Sequence, residues 1–79
     1  MELNKLNTIA RAVEAALSGF GCFGYIEHEG AYHIMLNDYH AIENIADMVK
    51  VLDKNIKVSE GEYDEDIHDA FAYIAVLEL

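Results

Sequence analysis

The sequence predicts a small α+β protein, with its elements in the order α-β-β-α-β-β and both helices on one face of an antiparallel sheet. Two segments carry apolar residues at the three-and-four spacing of a helix, and shorter segments with alternating apolar residues follow each of them. The chain has 79 residues, the length of one small domain, and we expect a single domain spanning 1–79. It contains no Pro.

Residues 3–18 predict the first helix. Their apolar residues recur every three or four positions and form one stripe: Leu3, Leu6, Ile9, Ala10, Val13, Ala16 and Leu17. Gly19 follows the stripe, at the position where helices commonly end in a left-handed residue. We therefore expect the helix to end there.

Residues 23–36 predict a β-hairpin with strands Phe23–His28 and Ala31–Leu36. Glu29-Gly30 joins them, because Gly supplies the positive φ that a two-residue hairpin turn requires. This turn pairs Phe23 with Leu36, Tyr25 with Ile34, and Glu27 with Tyr32, on a face suited to packing under a helix. The other face is mixed, so we expect it to face solvent or a partner; it carries Ile26, His28, His33 and Met35.

Residues 39–54 predict the second helix. Asp38 is a plausible N-cap, since its carboxylate can accept first-turn N–H groups. Lys50 and Lys54 fall in the last turn, where the helix dipole favours cations. Asn55 can end the helix in the left-handed conformation.

The last third of the chain predicts a strand at 55–60, an acidic connector or strand extension to Asp66, and a further strand within 67–79. The final segment is ambiguous. Ile67, Phe71 and Ile74 also fit helical spacing, but the β-branched and aromatic residues at the end favour a strand.

Charge is the strongest functional signal in the sequence. Fifteen Asp and Glu against five Lys and Arg give a net charge of -10, and the first 22 residues contribute none of this excess. The densest stretch, called here the acidic run, contains no base; it comprises Glu60, Glu62, Asp64, Glu65, Asp66 and Asp69. Such a field repels nucleic acid and anionic membranes and attracts basic surfaces. The alternative is that the acids only keep a small domain soluble.

The apolar content predicts an exposed hydrophobic surface. Hydrophobic residues make up 53% of a chain whose small size allows only a thin core. A homodimer or an obligate partner would cover the remainder. One cysteine excludes an internal disulfide, and the sequence has no leader or membrane-spanning run, so we expect a cytoplasmic protein.

The segment Gly19-Phe20-Gly21-Cys22-Phe23-Gly24 matches the G-x-G-x-x-G pattern of dinucleotide-binding turns. That pattern binds a pyrophosphate where a strand precedes it and a helix follows it. Here the predicted order is the reverse, so we interpret the segment as a simple turn.

Histidine and cysteine residues offer no complete catalytic or metal-binding set. His28 and His33 should be near-diagonal neighbours that could bind a metal with Glu29 or Cys22, but zinc needs four ligands at recognised spacings. We interpret them as surface histidines and Cys22 as a small buried thiol, and we predict no metal and no cofactor. The acidic run lacks the calcium-loop pattern, and no set of acid, base and nucleophile can be assembled, so we do not predict an enzyme.

In size, acidity, single-domain organisation and lack of catalytic motifs, the whole chain resembles the small inhibitors encoded by phages and mobile elements, the anti-CRISPR proteins among them. This resemblance implies a non-enzymatic inhibitor that occupies the basic surface of a nucleic-acid-binding complex in the host cytoplasm and binds no nucleic acid itself. We predict that the acidic run meets Lys and Arg on that partner, with Tyr63 as an anchor. Further carboxylates would extend the surface along the second helix: Asp38, Glu43, Asp47 and Asp53. The alternative is a dimeric immunity or adaptor protein that binds a protein partner through apolar surface.

Overall fold

The amphipathic stripe at the start of the chain forms helix α1, Glu2–Leu17. The computed structural model describes the backbone of residues 2–79 and the side chains from residue 4 onward, so Leu3 of the predicted stripe lies outside the described side chains. The stripe is buried at Leu6, Ile9, Ala10 and Val13, whereas Ala16 is exposed. Removing these apolar side chains from water contributes about 25 cal/mol per Å² and holds α1 against the sheet.

The end of α1 differs from the prediction. One turn of 3₁₀ helix, Ser18–Phe20, follows the α-helix, and Gly21 rather than Gly19 adopts the left-handed conformation, with φ of 104°. The carbonyl of Gly21 accepts a hydrogen bond of 2.8 Å from the N–H of Asn37. The extra turn therefore moves the chain reversal by two residues and joins it to the end of the hairpin.

Gly21→Ala is expected to lower the free energy of unfolding by about 1–3 kcal/mol. The added Cβ would strain a left-handed residue and would lie 2.5 Å from Oδ1 of Asn37. The matched control is Gly19→Ala, because a Cβ there meets no atom within 4 Å. Urea unfolding of both variants tests the prediction, and equal losses at the two positions would contradict it.

The sheet has four strands: β1, Cys22–His28; β2, Ala31–Leu36; β3, Lys57–Gly61; and β4, Tyr73–Glu78. Their spatial order is β1-β2-β4-β3, and all neighbouring pairs are antiparallel. Helix α2, Ala41–Leu52, connects β2 to β3. Both helices pack on one face of the sheet, around Ile34, Leu36, Ile45, Val49 and Leu77. The predicted α+β class is confirmed.

The hairpin turn has the predicted geometry. Glu29 and Gly30 both have positive φ, 52° and 82°, as the favoured two-residue turn requires. The predicted pairs Tyr25 with Ile34 and Glu27 with Tyr32 are confirmed.

The predicted pairing of Phe23 with Leu36 is wrong. An irregularity between Cys22 and Gly24 places Cys22 opposite Leu36. Because a one-residue shift exchanges the two faces of a strand, Cys22 is buried and Phe23 is exposed.

Helix α2 is shorter than predicted at both ends. The carboxylate of Asp38 accepts the N–H of His40 at 2.9 Å, and its carbonyl accepts the N–H of Ala41 at 3.1 Å. Asp38 therefore forms the turn before the helix, and the N-cap assignment is wrong. At the other end Asp53 is extended, so the helix ends before it and Lys54 lies beyond the helix. The carboxylate of Asp53 accepts the N–H of Asn55 at 2.9 Å, and Asn55 is not left-handed.

The final segment forms a strand, as favoured from the sequence, but only over β4. Residues 62–72, called here the connector, contain one turn in which the carbonyl of Asp64 accepts the N–H groups of Ile67 and His68. The connector returns across the face of the sheet that carries no helix, where Ala72 packs against Met35 and Ile74. Because helices cover one face of β4 and the connector the other, the strand is apolar on both sides.

Candidate functional site

Four exposed aromatic side chains form a continuous row at one end of the sheet. Ring centroids are 5.2 Å apart for Tyr63 and Phe71, 5.9 Å for Phe71 and Tyr73, and 5.9 Å for Tyr73 and Tyr39. Phe71 is 69% exposed, and the other three are between 37% and 47% exposed. We call these residues the aromatic row. Exposed aromatic clusters are typical of protein-binding surfaces, because a rigid ring buries much area at low entropic cost.

The sheet order explains why residues distant in sequence meet in this row. Tyr73 lies opposite Leu36, so the start of β4 is beside the end of β2 and the turn that carries Tyr39. Gly61 lies opposite Ile74, so β3 ends at the same edge and the connector begins there. The antiparallel order therefore brings the turn that carries Tyr39 and both ends of the connector to one end of the sheet.

Carboxylates lie close to three of these rings along the chain: Asp38 precedes Tyr39, Glu62 and Asp64 flank Tyr63, and Asp69 is two residues before Phe71. The hydroxyl of Tyr39 donates a hydrogen bond of 3.4 Å to Oε1 of Glu60, which links the turn before α2 to the acidic run. Residues 62–67 line a shallow depression of about 530 Å³. The side chains of the acidic run and of Asp38 are all exposed, and the sequence has no Lys or Arg after Lys57. We call the aromatic row, Asp38 and the acidic run together the acidic–aromatic surface.

The remaining predicted binding residues lie along α2 and are not all at this end. Glu43 is in the first turn and Asp47 follows one turn later, both exposed. Asp53 lies past the far end of this 12-residue helix, about 18 Å along its axis. Its carboxylate forms an ion pair with Lys5 of α1 and is nearly buried. This side chain joins the two helices.

Asp53→Asn is expected to lower the free energy of unfolding near neutral pH but not in acid. The hydrogen bond from Lys5, followed by that from Asn55, holds the pKa of Asp53 below its ordinary 3.8. A carboxyl group whose pKa is lowered by folding stabilises the protein above its ordinary pKa, and this contribution is lost as the pH falls through the folded-state value. Urea unfolding across this pH range tests the prediction, with Asp47→Asn as the control. A loss that is the same at every pH would contradict it.

Three histidines meet on the helix-free face of the sheet. The rings of His28 and His33 are 5.6 Å apart, which confirms the predicted shared face. His68, whose position the sequence left open, comes from the connector; it is 3% exposed, and its Nε2 lies 3.1 Å from Nδ1 of His33. The N–H of Asp64 donates to Nδ1 of His68 at 3.0 Å, and Tyr63 stacks on the same ring. No local pattern in the sequence indicates that the connector returns to β2.

The described part of the chain contains no group of side chains suited to a metal centre, and Cys22 is buried. Among residues whose side chains are described, no group of three or more His, Cys, Asp or Glu could hold a metal ion. Nδ1 of His68 accepts a backbone N–H, so a neutral ring keeps its proton on Nε2, the nitrogen that faces His33. Burial raises the pKa of the Cys22 thiol, which disfavours the reactive thiolate.

The glycine-rich segment also lacks the context for a phosphate site. It spans the 3₁₀ turn and the start of β1, so a strand rather than a helix follows it. Within residues 2–79, neither helix has the length and apolar character needed to cross a membrane. Comparison of the chain with protein-family models, curated proteins and solved structures finds no match. The role of the acidic–aromatic surface is therefore inferred from its own residues.

Proposed function

We propose that this protein is a non-enzymatic inhibitor that binds the basic surface of a nucleic-acid-binding enzyme or complex and blocks access of nucleic acid to it. The observation that carries the proposal is the acidic–aromatic surface, in which a row of exposed rings is combined with exposed carboxylates from the same segments of the chain. An anti-CRISPR protein acting on a CRISPR effector is the form of this function that we test first.

The chemistry of the surface suits a partner rich in arginine and lysine. DNA presents one negative charge per about 1.7 Å of helix axis, and proteins that bind it present matching cations. Carboxylates can form charge-assisted, often bidentate hydrogen bonds with those arginines. Exposed rings such as Phe71 and Tyr63 add cation–π contacts that phosphate cannot offer. This combination supports competition with nucleic acid for the same basic groove.

Three of the rings, together with Glu60, are also held in place before binding. Tyr73 belongs to the central strand β4, and Tyr39 is tied to Glu60 through its hydroxyl. Tyr63 rests on the buried ring of His68. A surface ordered in advance loses less conformational entropy when it binds, which favours affinity.

Capture of partners from a bacterial lysate with an active CRISPR system tests this proposal. The tagged protein is expected to retain a nucleic-acid-binding complex, identified by mass spectrometry, and added DNA should displace it. Because exposed charges are screened over about 8 Å at physiological ionic strength, binding should also weaken as salt rises. Retention of a partner that is indifferent to both DNA and salt would contradict nucleic-acid mimicry.

A second function, a dimeric immunity or adaptor protein, is favoured by a different observation. Val51 is 86% exposed and Leu52 beside it is 53% exposed, at the end of α2 and outside the acidic–aromatic surface. A partner bound through these side chains would tolerate salt, since apolar burial is not screened. Replacing Val51 and Leu52 with serine should abolish such binding but leave a DNA-displaceable complex intact.

A further inference from the structure

A short chain of hydrogen bonds holds the connector on the helix-free face of the sheet. The N–H of Asp64 donates to Nδ1 of His68 at 3.0 Å, and Nε2 of His68 lies 3.1 Å from Nδ1 of His33 on β2. His68 is 3% exposed, and among the described side chains no carboxylate lies within hydrogen-bonding distance of it. The connector is thus attached to β2 through two imidazole rings.

The donors and acceptors in this series of hydrogen bonds require both rings to be neutral. Nδ1 of His68 accepts from a backbone N–H, so its proton is on Nε2, and Nε2 must donate to Nδ1 of His33. A proton added to Nδ1 of His33 would place two N–H groups against each other. A proton added to Nδ1 of His68 would place it against the N–H of Asp64. Either protonation therefore breaks one of the two bonds.

In the closed state, in which the connector is bonded to the sheet, the groups around the pair do little to stabilise an added proton. His28 faces His33 from β1 and adds like charge when protonated, and Glu78 of β4 offsets it only in part. Lys57 of β3 lies opposite Glu78. Burial first, then the charges of His68 and His28, lower the pKa of His33 below its ordinary 6.5. On the connector, Tyr63 covers His68, and the carboxylates of Asp64, Asp66 and Asp69 are exposed.

We propose that protonation of the His33–His68 pair releases the connector from the sheet, so that the protein contains an acid-sensitive catch. In the released state the two rings are apart and hydrated, so water can accept from any ring N–H and an added proton breaks no bond. The proton therefore binds the released state more tightly than the closed state, which is the condition for shifting the equilibrium. Release moves Tyr63 and most of the acidic run, yet the catch is a property of the isolated protein and does not depend on the proposed function.

Amide hydrogen exchange measured at about pH 7.5 and about pH 5, on either side of the ordinary histidine pKa, tests the catch. The probes are the amides of Asp64, Ile67 and His68, whose N–H groups are bonded in the closed connector. After correction for intrinsic exchange, their protection is expected to fall about tenfold or more in acid, as a difference of one pKa unit allows. Amides of β2 and β4 should change much less. Unchanged protection at the three probes would overturn the proposal.

His33→Asn is the test variant. The side-chain oxygen of the asparagine can accept from His68 at the position of Nδ1, and it does not titrate near neutral pH. Its connector should lose less protection in acid than that of the parent protein. His40→Asn is the matched control, since His40 is exposed and makes no bond to the pair, and it should behave as the parent does. Equal acid sensitivity in His33→Asn and His40→Asn would overturn the proposal.

Nitrogen-15 shifts of the histidine rings in the unmodified protein give a second test that does not depend on how the variants fold. At about pH 7.5, above the ordinary histidine pKa, His68 should carry its proton on Nε2, and Nδ1 of His33 should show the shift of an acceptor. A proton on Nδ1 of His68 would overturn the proposed bonding.

Discussion

Charge reversal at Glu62, Glu65 and Asp66, each to lysine, is expected to weaken binding of a basic partner about a hundredfold or more at low salt. All three side chains are exposed and line the depression in the connector, and none of their carboxylates forms a hydrogen bond within the described part of the chain. Each reversal replaces an attraction by a repulsion. At about 1 kcal/mol for each, the sum is about 3 kcal/mol, or two powers of ten in the dissociation constant.

The matched control reverses Glu27, Glu29 and Glu78 to lysine. It changes the net charge by the same amount at the opposite end of the sheet, around the hairpin turn and the end of β4. Titration calorimetry with the captured partner at low and high salt compares the two variants, and circular dichroism establishes that both are folded. Equal losses in the two variants would show that net charge alone, rather than the acidic–aromatic surface, attracts the partner. Unchanged affinity in the connector variant would remove that surface from the interface.

Truncation of Leu77 to alanine is expected to remove about 2–5 kcal/mol from the free energy of unfolding. Leu77 is fully buried on the central strand β4 and contacts the core between the sheet and the two helices. The lost transfer free energy and the cavity left behind both contribute. Because the free energy of unfolding of such domains is only about 5–15 kcal/mol, this loss should leave the variant marginally stable.

Urea unfolding followed by circular dichroism measures this effect, and Val51→Ala is the control. Val51 is 86% exposed, so its truncation should change the free energy of unfolding by no more than about 0.5 kcal/mol. A loss below about 1 kcal/mol at Leu77 would mean that the core around β4 collapses to fill the cavity or that the strand is not central.

The elements that the sequence predicts correctly are those whose causes are local. The apolar stripe of α1 repeats within a few residues, and Glu29-Gly30 sets the register of the hairpin as far as Gly24. The strand at the end of the chain is predicted from its β-branched and aromatic residues, and the structure adds the reason for its apolar character, since helices and connector cover β4 from opposite faces.

The errors occur where two local solutions differ little in energy. Asp38 can cap a helix or form the preceding turn, and its carboxylate takes the N–H of His40. Either Gly19 or Gly21 can adopt the left-handed conformation. Gly21 adopts it in the structure, and its carbonyl accepts the N–H of Asn37. The irregularity near Gly24 then exposes Phe23, which no alternation pattern could indicate.

The sequence by itself determined the two helices, the hairpin with most of its register, and the sign and density of charge, because these depend on residue identity and on neighbours a few positions away. Only the tertiary structure decided which acids gather around exposed rings, and that Asp53 pairs with Lys5 at the far end of α2. It also decided the path of the connector, since the bond between His33 and His68 joins residues 35 positions apart. A chain can close a loop of that length in many ways at similar entropic cost, so packing and hydrogen bonds across the sheet select the one observed.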